Sequence, residues 1–309
     1  MEKYIILADV ACDISEEIRN YFDVTDYIRG HVHISDGRDF QTTLDWSNVE
    51  REEFYKALSN RKLEISSAPS SPEEYYQTFK KYIEMGYKIL SMSISSKISS
   101  TFGVATLAAE RIKKEYPDSF IYCFDSYRMA SAFGLLVMYA HELKQDGKSI
   151  DEVICWLEEN KTRVHQMGPI DDLMFVARRG RITMGKAIMG SFAGVKPMGD
   201  CSEDGYVSVL SKVKGIKKAL EATVEYVKRM AVDVENQYLL IAHSDREAYA
   251  KNLEKLLSEK LSPKKIFVTD IFSGSGTNVG PGMIGVYFLG EKISENQAVE
   301  KKVLEEILK

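Results

Sequence analysis

Residues 89–104, I-L-S-M-S-I-S-S-K-I-S-S-T-F-G-V, constrain the fold more than any other stretch of the chain. Ile89, Leu90, Met92 and Ile94 are apolar and the serines between them are small, which is a strand pattern. From Thr101 the period changes, and Val104, Leu107, Ala108 and Ile112 recur at helical spacing. A strand that passes directly into a helix is the unit from which α/β folds are built. The turn between the two holds Ser95, Ser96, Lys97, Ser99 and Ser100. Such a turn points backbone N–H and side-chain O–H groups at one place, and the positive end of the helix adds to them, so an oxyanion is a natural guest. The same residues also suit an ordinary serine-capped helix start. The rest of the chain has to decide.

At 309 residues the chain exceeds one average domain, and two are expected. Hydrophobic residues make up 44% and charged residues 28%, a composition able to bury a large core. A net charge of −5 lacks the basic excess that nucleic acid would require. Cys12, Cys123, Cys155 and Cys201 are far apart, with no C-x-x-C and no zinc-like His spacing, and read as reduced thiols. The N-terminal apolar run, residues 4–8, is stopped by Asp9 and is too short for a signal peptide or a membrane span. A cytoplasmic protein follows, whose contact with a membrane would be transient.

Residues 4–8 form a buried strand that delivers Asp9, and a short helix starts near Ser15, with Glu16 and Glu17 in its first turn. Asp9 and Asp13 form a D-x-x-x-D pair; without a third ligand they are read as caps, not metal ligands. Residues 24–34 look extended, with His31 and His33 on one face as ordinary strand residues, and Asp36-Gly37 is a turn. Ser71, Pro72 and Glu74 are an N-cap, a first helical residue and the acid of a capping box. Ser66 and Ser67 lie just upstream, in what reads as a loop fixed by Pro69. That makes a second set of hydroxyls before a helix. Residues 120–124 are another strand, ending in Asp125-Ser126 before an apolar, buried helix over 129–143. Residues 4–143 therefore read as an α/β domain with a largely parallel sheet. Ligands gather beyond the carboxyl ends of such strands, where Asp9, the turn after Ile94 and Asp125-Ser126 all lie.

A boundary falls near Gly147-Lys148, where Ser149 and Glu152 cap a new helix. Beyond it, residues 194–198 and 206–213 form a hairpin around an exposed turn, Glu203-Asp204-Gly205. Helices over 216–232 and 248–257 and strands over 238–243 and 266–270 complete an α+β layer. Three segments result: an α/β domain over 1–147, an α+β domain over 148–293, and an amphipathic helical tail over 294–309 that packs on a surface or a partner. Two lookalikes are rejected. Residues 180–187, G-R-I-T-M-G-K-A, fall one residue short of a P-loop and lack its Ser/Thr. Residues 280–285, G-P-G-M-I-G, are followed by a strand and not by the helix a dinucleotide needs. No Ser-His-Asp order and no H-E-x-x-H stands out.

Seven motifs occur in order from about residue 3 to 289: Asp9-Val10-Ala11-Cys12-Asp13-Ile14, Ser66-Ser67-Ala68-Pro69-Ser70, the turn from Ser95 to Thr101, Asp125-Ser126, Gly180-Arg181-Ile182, Lys196-Pro197 and Asn278-Val279-Gly280-Pro281-Gly282. Together they resemble the DegV family of bacterial lipid-binding proteins. That resemblance implies a two-domain fold with a fatty acid buried between the domains, its carboxylate held by hydroxyls of two Ser/Thr loops. It also implies a carrier, not an enzyme, that presents the acid to a fatty acid kinase for acyl-phosphate formation in phospholipid synthesis. The residues expected at the carboxylate are Ser66, Ser67, Ser95, Ser96, Ser99 and Asn278, supported by Asp9, Asp125, Ser126, Arg181, Gly280 and Gly282. No metal and no cofactor besides the bound fatty acid is expected. An apolar tunnel walled by residues 184–193 and by helix 129–143 should hold the acyl chain. The chain departs from the family at Ser66, a threonine there, at Ser100, a glycine, and at Asn278, a histidine. The alternatives are an acyl or phosphoryl transferase using Asp9, Asp13 or Asp125, and a sensor of another hydrophobic acid.

Overall fold

The structure, a computed structural model, describes residues 2–182 and 194–309. Its first half runs β1 (Tyr4–Ala8), α1 (Glu16–Tyr21), β2 (His31–Ile34), β3 (Asp39–Gln41), α2 (Arg51–Ser59), β4 (Ile65–Ala68), α3 (Pro72–Glu84), β5 (Lys88–Ser93), α4 (Thr101–Glu115), β6 (Ile121–Asp125), α5 (Ala130–Gln145) and α6 (Ile150–Asn160). The second half continues with β7 (Val164–Met167), α7 (Leu173–Arg178), β8 (Val195–Cys201), β9 (Val207–Lys214), α8 (Ile216–Met230) and β10 (Tyr238–His243). It ends with α9 (Glu247–Lys260), β11 (Lys265–Asp270), α10 (Ser273–Val279), β12 (Ile284–Leu289) and α11 (Ala298–Leu308).

Three short, mostly buried strands form the parallel sheet that the sequence pattern demands, in the order β1-β5-β6, with Ile5 opposite Ile89 and Ser91 opposite Cys123. The second half is built on a mixed sheet, β11-β10-β12-β7, in which only β10 and β11 are parallel. The antiparallel trio β3-β2-β4, with α2 behind it, forms a lid with a core of its own that includes Val32, Ile34, Phe54 and Ile65. β8 and β9 pair as the expected hairpin.

α5 joins the two halves. Its residues from Ala130 to His141 are buried without interruption, and it packs on β1 from one sheet and on β7, β10 and β12 from the other. One apolar core runs through it, from Leu90 and Phe124 by way of Phe133 and Leu136 to Tyr238, Leu240 and Tyr287. Close approach at one point requires glycine: a Cβ on Gly134 would stand 2.2 Å from the Cys12 carbonyl oxygen. α6 packs on α5 and β5, so the chain changes sheets at residues 161–163, beyond the composition break at Gly147. α11 lies on α8 and β9 of its own chain, burying Leu304.

Three local expectations change. Ser66 and Ser67 sit on strand β4 and not in a loop, because residues 65–68 pair with β2. The Gly-rich segment 274–285, whose glycines mark it as a turn, is helix α10 over its first half, up to Val279. The 203–205 turn is not free in solvent: Gly205 is buried, where a Cβ would stand 2.5 Å from Ser95 Oγ.

Candidate functional site

A cavity of about 570 Å³ opens at the carboxyl end of the parallel sheet, between that edge and the lid. Asp9, at the end of β1, caps the next turn: its Oδ1 accepts from Ala11 N and its Oδ2 from Ile94 N, both at 2.8 Å. Burial pushes its carboxyl up to about 6, with these two N–H groups opposing the rise. Asp125, at the end of β6, accepts from Ser96 N at 3.1 Å and Tyr127 N at 3.3 Å. Two carboxylates on different strands thus hold the serine turn from both sides. Ser126 closes the next turn through its hydroxyl, which accepts from Arg128 N at 3.2 Å.

Within the serine turn the side chains divide. Ser96 and Ser99 line the cavity, and Ser99 Oγ lies 2.7 Å from Thr101 Oγ1. Ser95 does not. It is fully buried, donates to the Gly205 carbonyl at 2.9 Å and accepts from Lys97 N at 3.3 Å, which pins the β8–β9 turn in place. Ser66 and Ser67 divide as well, because adjacent strand residues point to opposite faces. Ser67 lines the cavity, while Ser66 lies in a separate surface hollow with Phe175 and Arg179.

The opposite wall is α10. Asn278 Nδ2 donates to Ser67 Oγ at 2.9 Å and to the Gly274 carbonyl at 3.3 Å, so the amide is the donor towards serine and not the acceptor. Arg181 lines the cavity half-buried, with burial lowering its pKa, and donates to the Arg179 carbonyl. Arg29 and Lys97 are the other cations of the lining, and His31 is paired with Glu74 at 3.0 Å. Gly280 and Gly282 stand behind the site: with φ of 74° and 99°, they let the chain pass against the Phe175 ring and Asp171, where a Cβ would come within 2.7 and 2.5 Å. The remaining walls are apolar, including Ile28, Ile94, Met129, Val176, Val207 and Val279. α5 contributes only Ala130, just after Met129, and the rest of it is core. Residues 184–193, expected as tunnel wall, lie outside the described residues.

Sequence reasoning missed Thr42, Ser70, Tyr75 and Ser275, all of which line the cavity. Thr42 and Ser70 are taken up by the backbone of Gly30 and Arg29. Ser275 carried a readable signal, its i,i+3 spacing from Asn278, which reading the segment as a turn concealed. Asp13, buried behind α10, accepts from Phe272 N at 2.9 Å, and burial raises its pKa well above the carboxylate range. Among the described residues no three His, Cys, Asp or Glu side chains are grouped to hold a metal ion, and no helix is long and apolar enough to cross a membrane.

The chain matches, over residues 3–291, the family model described as "Uncharacterised protein, DegV family". A DegV domain-containing protein of Clostridium perfringens is 32% identical over 291 residues, covering 94% of this chain and 99% of its own length. Among solved structures, a DegV family protein of Thermus thermophilus, described by its fatty acid binding, superposes with a TM-score of 0.82 at 22% identity, covering 93% of this chain and 99% of that one. A stearic acid-binding protein of Eubacterium ventriosum superposes with a TM-score of 0.79 at 22% identity, covering 94% and 99%.

Proposed function

The chain belongs to the DegV family, and from that premise we propose that it binds a long-chain fatty acid, with the carboxylate at the hydroxyl cluster and the acyl chain along the apolar walls. The observation that carries this reading is the convergence of neutral hydrogen-bonding groups from three separate elements on one apolar-lined cavity. Ser67 of β4 and Asn278 of α10 meet on one side, and Ser96, Ser99 and Thr101 of the serine turn stand on the other. Hydroxyls and an amide bind a carboxylate without locking it in an ion pair, which leaves an oxygen available to attack phosphorus. Arg29, Lys97 and Arg181 give the region a positive potential that favours the anion. The carboxylates of Asp9 and Asp125 are engaged by backbone N–H groups, which favours a carrier over a transferase that would need them free. The acyl chain supplies most of the affinity, roughly 0.8 kcal/mol per buried CH₂ before the costs of association.

On this reading the protein is a cytoplasmic carrier that hands the acid to a fatty acid kinase, and the resulting acyl phosphate enters phospholipid synthesis. Ser96, Lys97 and Ser100, all exposed at the head-group end, support presentation at the surface. Mass analysis of a denaturing lipid extract of the purified protein tests the first step, and a stoichiometric long-chain acid is the expected result. Acyl-phosphate formation with the kinase and ATP tests the second. An extract free of acids, with no uptake of added ones, overturns the reading.

A further inference from the structure

The β8–β9 hairpin borders two spaces. Val207 lines the main cavity, and it also lines a second, much smaller void of about 20 Å³ between the hairpin and the sheet of the second half. Met167, Met198, Met283, Ile170 and Val209 line that void, and none of them lines the cavity. Val207 and Val209 share one face of β9, with Ser208 turned to the other. Val209 packs on the small cluster of Leu173, Val176, Ala177 and Ile182, and Val176 is itself cavity wall. The two spaces therefore adjoin along one apolar face that runs from Val207 to Val209. That face leads away from the head group: Gly205 meets Ser95 at the serine turn, and Val209 lies four residues beyond it, up to about 13 Å along the chain.

The backbone builds this void in. Gly199 stands opposite Val209, at a register shift between Met198 and Gly199. A Cβ on Gly199 would lie 2.2 Å from the Ser208 carbonyl oxygen, and one on Gly168 would lie 1.9 Å from the Ile284 carbonyl oxygen, so neither of these two lining positions can carry a side chain. Three thioethers surround the space instead. Methionine is unbranched and flexible, so such a wall can make room for a guest that branched side chains would refuse. A held water needs two to four polar partners, and the side chains around the void offer Gln166 Oε1, buried without a hydrogen-bond partner among the described residues. An empty apolar space loses dispersion contacts for every atom that lines it, and a hydrocarbon end restores them.

Building on the fatty-acid reading, we infer that this methionine-lined void receives the methyl end of a long acyl chain, and that Val209 sets the chain length the protein accepts. The first test is methyl NMR on the full chain, stripped of lipid and labelled with ¹³C-methyl methionine, the Met198 signal being assigned by its loss in Met198→Leu. Octadecanoate should shift that signal, and decanoate, which ends short of Val209, should leave it in place. The second test is calorimetric titration with the same two acids. Val209→Phe fills the void and should weaken octadecanoate binding about ten-fold, the equivalent of one to two methylenes kept from burial. Decanoate should stay within about two-fold of the wild type, which shows that the variant is folded and its head-group site intact. A wild-type Met198 signal that octadecanoate binding leaves unmoved overturns this inference and keeps the fatty-acid reading. Equal losses for both acids in Val209→Phe, or no loss for either, overturn it as well. Should that variant not fold, the wild-type Met198 shift decides alone. Failure of the wild type to bind either acid overturns both readings.

Discussion

Ser67 and Ser66 are neighbours with opposite surroundings, and that difference is measurable. Ser67 accepts from Asn278 in the cavity wall, whereas Ser66 is exposed on the other face of β4. Ser67→Ala should weaken fatty-acid binding by about 1–3 kcal/mol, since it removes a hydroxyl and leaves the Asn278 amide short of an acceptor. Ser66→Ala should leave affinity within calorimetric error, and equal losses at both positions would contradict the assignment. Asn278 can donate a hydrogen bond but cannot titrate near neutrality. Asn278→His should therefore change affinity little while giving kinase-dependent acyl-phosphate formation a new pH dependence between about 6 and 7. Rates measured against pH for both forms with one kinase check this. Superimposable profiles would show that the position has no part in phosphoryl transfer.

Among the elements, α5 carries the greatest constraint, and two glycines on different helices bring it out. A methyl on Gly134 meets the Cys12 carbonyl at 2.2 Å, so α5 would have to move away from the turn that follows β1. Gly103, in the first turns of α4, has open space around the same position and an ordinary helical backbone. Gly134→Ala should lower stability by about 1–3 kcal/mol through overpacking. Gly103→Ala should raise it by up to about 1 kcal/mol through helix propensity. Urea unfolding of both variants reads opposite signs for one chemical change. The turns that end β1, β5 and β6 obey the same logic, since their backbone N–H groups are held by Asp9 and Asp125 before any ligand arrives.

At the scale of the whole molecule, the fused core makes folding sensitive to acid. His141 lies inside α5, and burial in that core lowers its pKa to about 3, with Lys144 adding to the effect. An unfolded histidine titrates near 6.5, so the unfolded chain takes up the proton first. The stability held above pH 6.5 is thus lost progressively as the pH falls towards 3. Asp9 acts in the opposite direction over a narrower window. Its folded pKa of about 6 exceeds that of a free aspartate, so its contribution becomes more favourable as the pH falls from about 6 towards 4. His141→Leu should flatten the decline in unfolding temperature between pH 6.5 and 4 relative to wild type. Parallel curves would mean that His141 does not drive the acid response.

The family, the fold class and many element ends were legible in the sequence, because they depend on local physics. Apolar period, capping chemistry and the change from strand to helix act within a few residues. Both predicted capping boxes, Ser71 with Glu74 and Ser149 with Glu152, are formed with both of their hydrogen bonds. The division of labour among the serines was not legible. Ser95 is turned from ligand to brace by Gly205, 110 residues away. Ser67 is paired with an amide 211 residues away. A run of hydroxyls establishes that donors are present. Which of them face the cavity depends on the pairing of β4 with β2, where shifting the register by one residue would exchange Ser66 for Ser67.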